Sequence, residues 1–63
     1  MIDLKDIDPL IYDEYEAIDG YVEYLKKIKK EPEYKEVSKV INEIIADEQD
    51  HISKLKKLKK NYK

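Results

Sequence analysis

The sequence predicts an all-α protein: an antiparallel two-helix hairpin that dimerises into a four-helix bundle. Three observations predict it. Apolar residues recur at alternating steps of four and three along two long stretches, which is the spacing of a helix face turned toward partners. A single break, Glu31-Pro32-Glu33, separates the stretches and leaves no room for a long linker, so the helices must fold back on one another. Finally, 63 residues without a cysteine cannot enclose a large core or staple one with disulfides, so the apolar face needs a second surface. With one glycine and two prolines, the chain is neither β-rich nor disordered in composition. The whole of 1–63 reads as a single domain.

Residues 1–8 form a short acidic lead-in, in which Ile2, Leu4 and Ile7 can lie against the body. The first helix is expected over 9–30. Asp8 suits the N-cap and Pro9 the first helical position, where its missing N–H costs nothing. Its seam reads Leu10, Glu14, Ala17, Tyr21, Tyr24 or Leu25, and Ile28, so one carboxylate interrupts an apolar stripe. Glu16 and Glu23 fall on the far, solvated side. Gly20 sits in mid-helix, at about 1 kcal/mol against alanine, a cost that a close helix approach would explain. Acidic residues open this helix and Lys26, Lys27, Lys29 and Lys30 close it, both in the sense that opposes the helix dipole.

Residues 31–33 are the turn. The second helix is expected over 32–60, opened by Pro32 and ended by lysines, with 61–63 as a tail. In a hairpin, the lysines closing the first helix meet the glutamates opening the second, and the acidic start of the chain lies near its basic end. The second seam reads Val37, Ile41, Ile44, Glu48, His51, Leu55, Leu58 and Tyr62. Its two central members are a carboxylate and an imidazole. Burying such groups unpaired costs several kcal/mol, roughly, so a core seam rarely holds them without a purpose. Glu48 and His51 stand three residues apart on one face, as two ligands of one metal ion would.

The heights agree. With the turn at residue 31, Glu14 and Glu48 are equally far from it, and His51 lies one turn away. Two carboxylates and one imidazole thus converge at one level. Ile18, Val22, Val40, Ile45 and Ile52 need a further surface, and a second identical hairpin supplies it. The centre of that dimer would hold two copies of Glu14, Glu48 and His51, whose carboxylates would repel or take up protons without a cation. Hard oxygen donors with one imidazole suit iron or manganese, with zinc as a substitute.

Composition excludes other classes. Net charge is −2 with 44% charged residues, and all 13 basic residues are lysines. No basic bias and no arginine point to nucleic acid. No apolar run approaches the ~20 residues of a membrane span, and the start of the chain is acidic rather than signal-like, so a cytoplasmic protein is expected.

These residues carry a resemblance. Glu14-Tyr15-Glu16-Ala17 with Tyr21, followed by Asp47-Glu48-Gln49-Asp50-His51, resembles the paired metal-ligand helices of ferritin-like and rubrerythrin-like proteins, and the chain is similar to half of such a bundle. The resemblance implies Glu14 as a terminal ligand, Glu48 as a bridging ligand and His51 as the imidazole ligand of iron, two irons per dimer. It implies Asp47 as an orienting partner for a histidine, and Tyr21 as a catalytic residue that hydrogen-bonds near the site or passes an electron. The implied activity is ferroxidase-type oxidation of Fe(II) by O₂ or peroxide. Half-length relatives include the ferritin-like proteins loaded into encapsulin shells, which makes such a shell a partner to consider, although Lys59–Lys63 does not read as a loading tail. The alternative from another class is a non-enzymatic helical interaction module whose Glu/His layer only fixes subunit pairing. A third is a metal carrier or sensor without turnover. Assembly beyond the dimer is left open.

Overall fold

A computed structural model describes residues 6–61. Among them are two helices and no strand: α1 spans Ile7–Lys27 and α2 spans Tyr34–Asn61. They fold back as a hairpin, a rod 52 Å long and 15 by 12 Å across. The smallest dimension is about one helix diameter, so each helix has a single neighbour.

Helix α1 begins about one half-turn earlier than Asp8-Pro9 suggests. Asp6 occupies the N-cap without a side-chain cap bond. Ile7 explains the shift: starting the helix here turns its side chain into the interface, where it is only 7% exposed. Pro9 is still tolerated, because N–H groups of the first turn have no intrahelical acceptor. Asp8 lies inside the first turn and pairs with Lys59 of α2. Ile2 and Leu4 fall outside the described residues.

Helix α1 also ends early, at Lys27 rather than Lys30. The Ile28 carbonyl would take its helical hydrogen bond from residue 32, but Pro32 has no N–H. The Glu31 N–H donates to it instead at 2.9 Å, tightening the chain into a turn. Pro32 therefore sits within the connection rather than opening α2. The Tyr34 N–H donates to the Glu31 carbonyl, and the Val37 N–H to that of Glu33, so α2 starts at Tyr34. The turn uses no positive φ, which is why no glycine is needed there.

The interface is made by Ile7, Ile11, Glu14, Ile18, Tyr21, Leu25 and Ile28 against Val37, Ile41, Ile44, Ile45, Glu48, Ile52, Leu55 and Lys59. Among the described residues only Ile7 and Ile52 are buried, and neither completely. This corrects the expected seams. In α2 the stripe turns after Glu48 onto Ile52 and Lys59, not onto His51 and Leu58. Both routes keep the four-three rhythm, and packing selects the one that buries a large aliphatic chain and leaves the imidazole wet. In α1, Leu10 lies outside the interface at 51% exposure, and Tyr24 is exposed too. Ile18 and Ile45, expected to face outward, line the interface, whereas Val22 and Val40 are exposed. Tyr62 lies outside the described residues.

The lysines ending α1 do not pair with Glu31, Glu33 or Glu36 among the described residues; the acidic start and the basic end of the hairpin do meet, through Asp8 and Lys59. Gly20 marks no close approach either: a Cβ added there would meet nothing. No helix among the described residues is long and apolar enough to cross a membrane.

Candidate metal centre

Helical spacing delivers three polar groups to the middle of the rod. Glu14 comes from the third turn of α1, while Glu48 and His51 come from consecutive turns of α2. One donor atom from each lies within 4.8 Å of the other two. Two ligands on one ion with bonds of about 2.1 Å sit at most about 4.2 Å apart, so small side-chain rotations would close the set. The level reading of the sequence thus brings together the residues it named.

Their environments differ. Glu14 is the inner member, its side chain 25% exposed, and its Oε2 atom is buried without a hydrogen-bond partner. The Nδ1 of His51 lies 3.4 Å from that oxygen, near enough to pair electrostatically but not hydrogen-bonded. The His51 side chain is half exposed, at the rim rather than in the interface. Glu48 is held above the ordinary 4.5 of a glutamate. Its hydrogen bond with the Glu14 carboxyl contributes most, followed by burial and by repulsion from Glu14, with His51 opposing. Charge on the neighbouring Glu14 carboxyl disfavours charge on Glu48, so the proton on Glu48 is held more tightly. An orphaned buried carboxylate oxygen, a second carboxyl and an imidazole beside them fit a divalent metal ion by donor chemistry.

Asp47 is exposed, one residue before Glu48 and one helical turn before His51. Tyr21 is half-buried on the α1 interface, two turns beyond Glu14. Neither belongs to the three-residue group.

One feature escaped the motif reading and was present in the lysine positions. From Tyr12 to Leu25 and from Val40 to Ser53 there is no lysine, but there are nine carboxylates: Asp13, Glu14, Glu16, Asp19, Glu23, Glu43, Asp47, Glu48 and Asp50. The hairpin sets these stretches side by side. The rod therefore has an acidic waist, level with Glu14 and Glu48, between lysine-rich ends. Such a belt concentrates cations near the group it surrounds, an effect that salt screens.

No family model, curated protein or solved structure matches this chain.

Proposed function

We propose that the chain is a di-iron carboxylate protein that oxidises Fe(II) with O₂ or peroxide at a site shared between two subunits. The observation that carries this is the buried, unpartnered Oε2 of Glu14, grouped with the carboxyl of Glu48 and the imidazole of His51. One hairpin offers three ligand residues, too few to saturate iron, and a second copy brought to the same level doubles them. Iron held there supplies one-electron redox chemistry. Glu14, Glu48 and His51 would hold it, their carboxylates offsetting its charge. Asp47 orients the imidazole from one turn away. Tyr21 stands on the interface as a hydrogen-bonding or electron-donating group. The acidic waist supplies Fe(II) to the site. Manganese or zinc can take the same ligands.

The test is an anaerobic Fe(II) titration of metal-stripped protein, followed by air, with absorbance read in the near ultraviolet. Saturation near one iron per chain, then a new ferric absorption band on oxygenation, is expected. Absence of saturable binding would favour the second reading, which the hydrogen bond that holds Glu48 above its ordinary range supports: a polar layer that fixes helix pairing without metal. Saturable binding without repeated O₂ consumption would identify a carrier or sensor.

A further inference from the structure

The two open flanks of the hairpin are unlike. One carries exposed apolar residues, Leu10 and Tyr24 from α1 with Val40 and Leu58 from α2, and His51 stands among them by helical phase. The other flank is polar. There Lys56 donates to the Tyr15 hydroxyl at 2.8 Å, its ammonium 5.3 Å from the centre of the ring, and Lys59 pairs with Asp8. Charged residues make up 44% of the chain, so uncharged hydrogen-bonding side chains are scarce. Four of them, Ser38, Asn42, Gln49 and Ser53, share one strip of α2 with Lys56 and Lys60, about 60° wide at about 100° per residue. That strip belongs to the polar flank.

The strip borders a groove with two compartments. The first, about 460 Å³, lies near the open end of the rod and is lined by Asp8, Ile11, Lys56, Lys59 and Lys60. The second, about 340 Å³, lies toward the waist and is lined by Tyr15, Ile18, Gln49, Ile52, Ser53 and Lys56. Lys56 lines both, so the compartments meet at its side chain. Each has the volume of a small-molecule site. Their chemistry differs. Three ammonium groups stand around the first against one carboxylate, and Lys59 holds that carboxylate, which leaves Lys56 and Lys60 for an anion. The Lys56 ammonium has three protons and gives one to Tyr15. The second compartment has a half-buried Ile18 and a buried Ile52 in its floor. No carboxylate lines it, although Glu14, Glu16, Asp19, Glu48 and Asp50 are close neighbours in sequence. Helical phase turns each of them elsewhere. From Gln49 to Lys60 the groove runs roughly 16 Å at 1.5 Å per residue.

We infer that this groove binds a single-chain carboxylate, a fatty-acid-like ligand, with its head between Lys56 and Lys60 and its tail along Ile18 and Ile52. Charge complementarity places the head: the lysine end attracts an anion and the acidic waist repels one, so the ligand lies in one orientation. The second compartment gives the tail an apolar floor, the Tyr15 ring, and a rim of Gln49 and Ser53 that sets no charge beside it. Its volume is near the lower end for small-molecule sites, room for one chain rather than two. The groove is on the flank away from His51 and shares no lining residue with Glu14, Glu48 or His51, so the ligand binds with or without metal.

The test uses decanoate, titrated into the full, metal-stripped chain below its micelle concentration, with backbone amide NMR shifts read residue by residue. Saturable binding is expected, with shifts centred on Tyr15, Ile18, Gln49, Ser53 and Lys56. Acetate, which lacks the tail, should bind at least about tenfold more weakly. Decyltrimethylammonium, whose head has the opposite sign, should not compete. A chain carrying Lys56→Gln and Lys60→Gln together should bind decanoate about tenfold more weakly and stay helical by circular dichroism, because both side chains are exposed. Gln49→Glu, which sets a carboxylate beside the tail, should weaken binding as well. Absence of saturable binding would overturn the site. Shifts centred on Leu10, Tyr24, Val40 and Leu58 would place the ligand on the apolar flank and overturn it too. Equal affinity for acetate would overturn the tail compartment. Equal affinity for the ammonium compound, or an unchanged constant without the two lysines, would overturn the placement of the head.

Discussion

The two flanks of this hairpin solve the same problem in opposite ways. On the polar flank, long lysine stems lie over the helix interface and end on Tyr15 and Asp8 of the other helix. There the charged ends stay in water and polar groups tie the helices together, while Tyr15 and Val22 of α1 remain exposed. On the apolar flank, Leu10, Tyr24, Val40 and Leu58 stand uncovered around a half-exposed histidine. That flank is unfinished, and it is where the three candidate ligands open. A chain of this size gains little from its own core, so where it leaves apolar surface bare indicates where its next contact forms.

Substitutions can break or sharpen this contrast. The largest effect is expected between the flanks, at Ile52. Ile52→Ala should cost about 2–5 kcal/mol by thermal or denaturant unfolding, because the side chain is 6% exposed and leaves a cavity. His51→Ala, on the adjacent position, should leave metal-free stability nearly unchanged while removing Fe(II) binding in the titration. An equal loss of stability at both positions would mean that the seam runs through the histidine after all.

A smaller effect separates the metal-free and metal-bound states by pH. Glu48 protonates above the ordinary 4.5 that it has when unfolded, chiefly because it bonds to the Glu14 carboxyl. The folded chain therefore holds the extra proton in the window just above 4.5. Stability of the metal-stripped protein is full below that value and falls as pH rises through the raised one. Unfolding midpoints measured across this range should show the fall, and Glu48→Gln should flatten it. Bound metal should reverse the slope, since it competes with the proton and stabilises the fold by mass action.

Gly20→Ala should raise stability by about 1 kcal/mol, since the added methyl group meets nothing and the helix gains propensity. The smallest effect is expected on the polar flank. Tyr15→Phe removes an exposed hydrogen bond to Lys56 and should cost under about 1 kcal/mol, less at high salt. A larger loss would show that this flank contributes more than a solvated border.

How much of this was legible in the sequence follows from what periodicity can encode. Helix count, the break at Pro32 and the hairpin follow from spacing and from one missing N–H. The convergence of Glu14, Glu48 and His51 was legible because height in a hairpin depends only on distance from the turn. Phase was not legible. His51 with Leu58 and Ile52 with Lys59 keep the same rhythm, and only packing against α1 decides between them. Lysine misleads here, because Lys59 reads as surface yet lays its stem across the interface. The helix starts were misjudged for a related reason: Asp8 and Pro9 satisfy the local rules for a first turn, but the burial of Ile7 extends the helix past them.

The acidic waist also governs how the chain can be cut. Among the described residues lysines lie only toward the two ends of the rod, so a protease that cleaves after lysine finds no site across Tyr12–Leu25 or Val40–Ser53. Cleavage at Lys29 or Lys30 would sever the covalent link between the helices and leave both ligand-bearing stretches whole. The nicked protein would then be two separate peptides held only by their interface. Its persistence in gel filtration would measure how far this fold depends on its turn, and how far on the surface that α1 and α2 share.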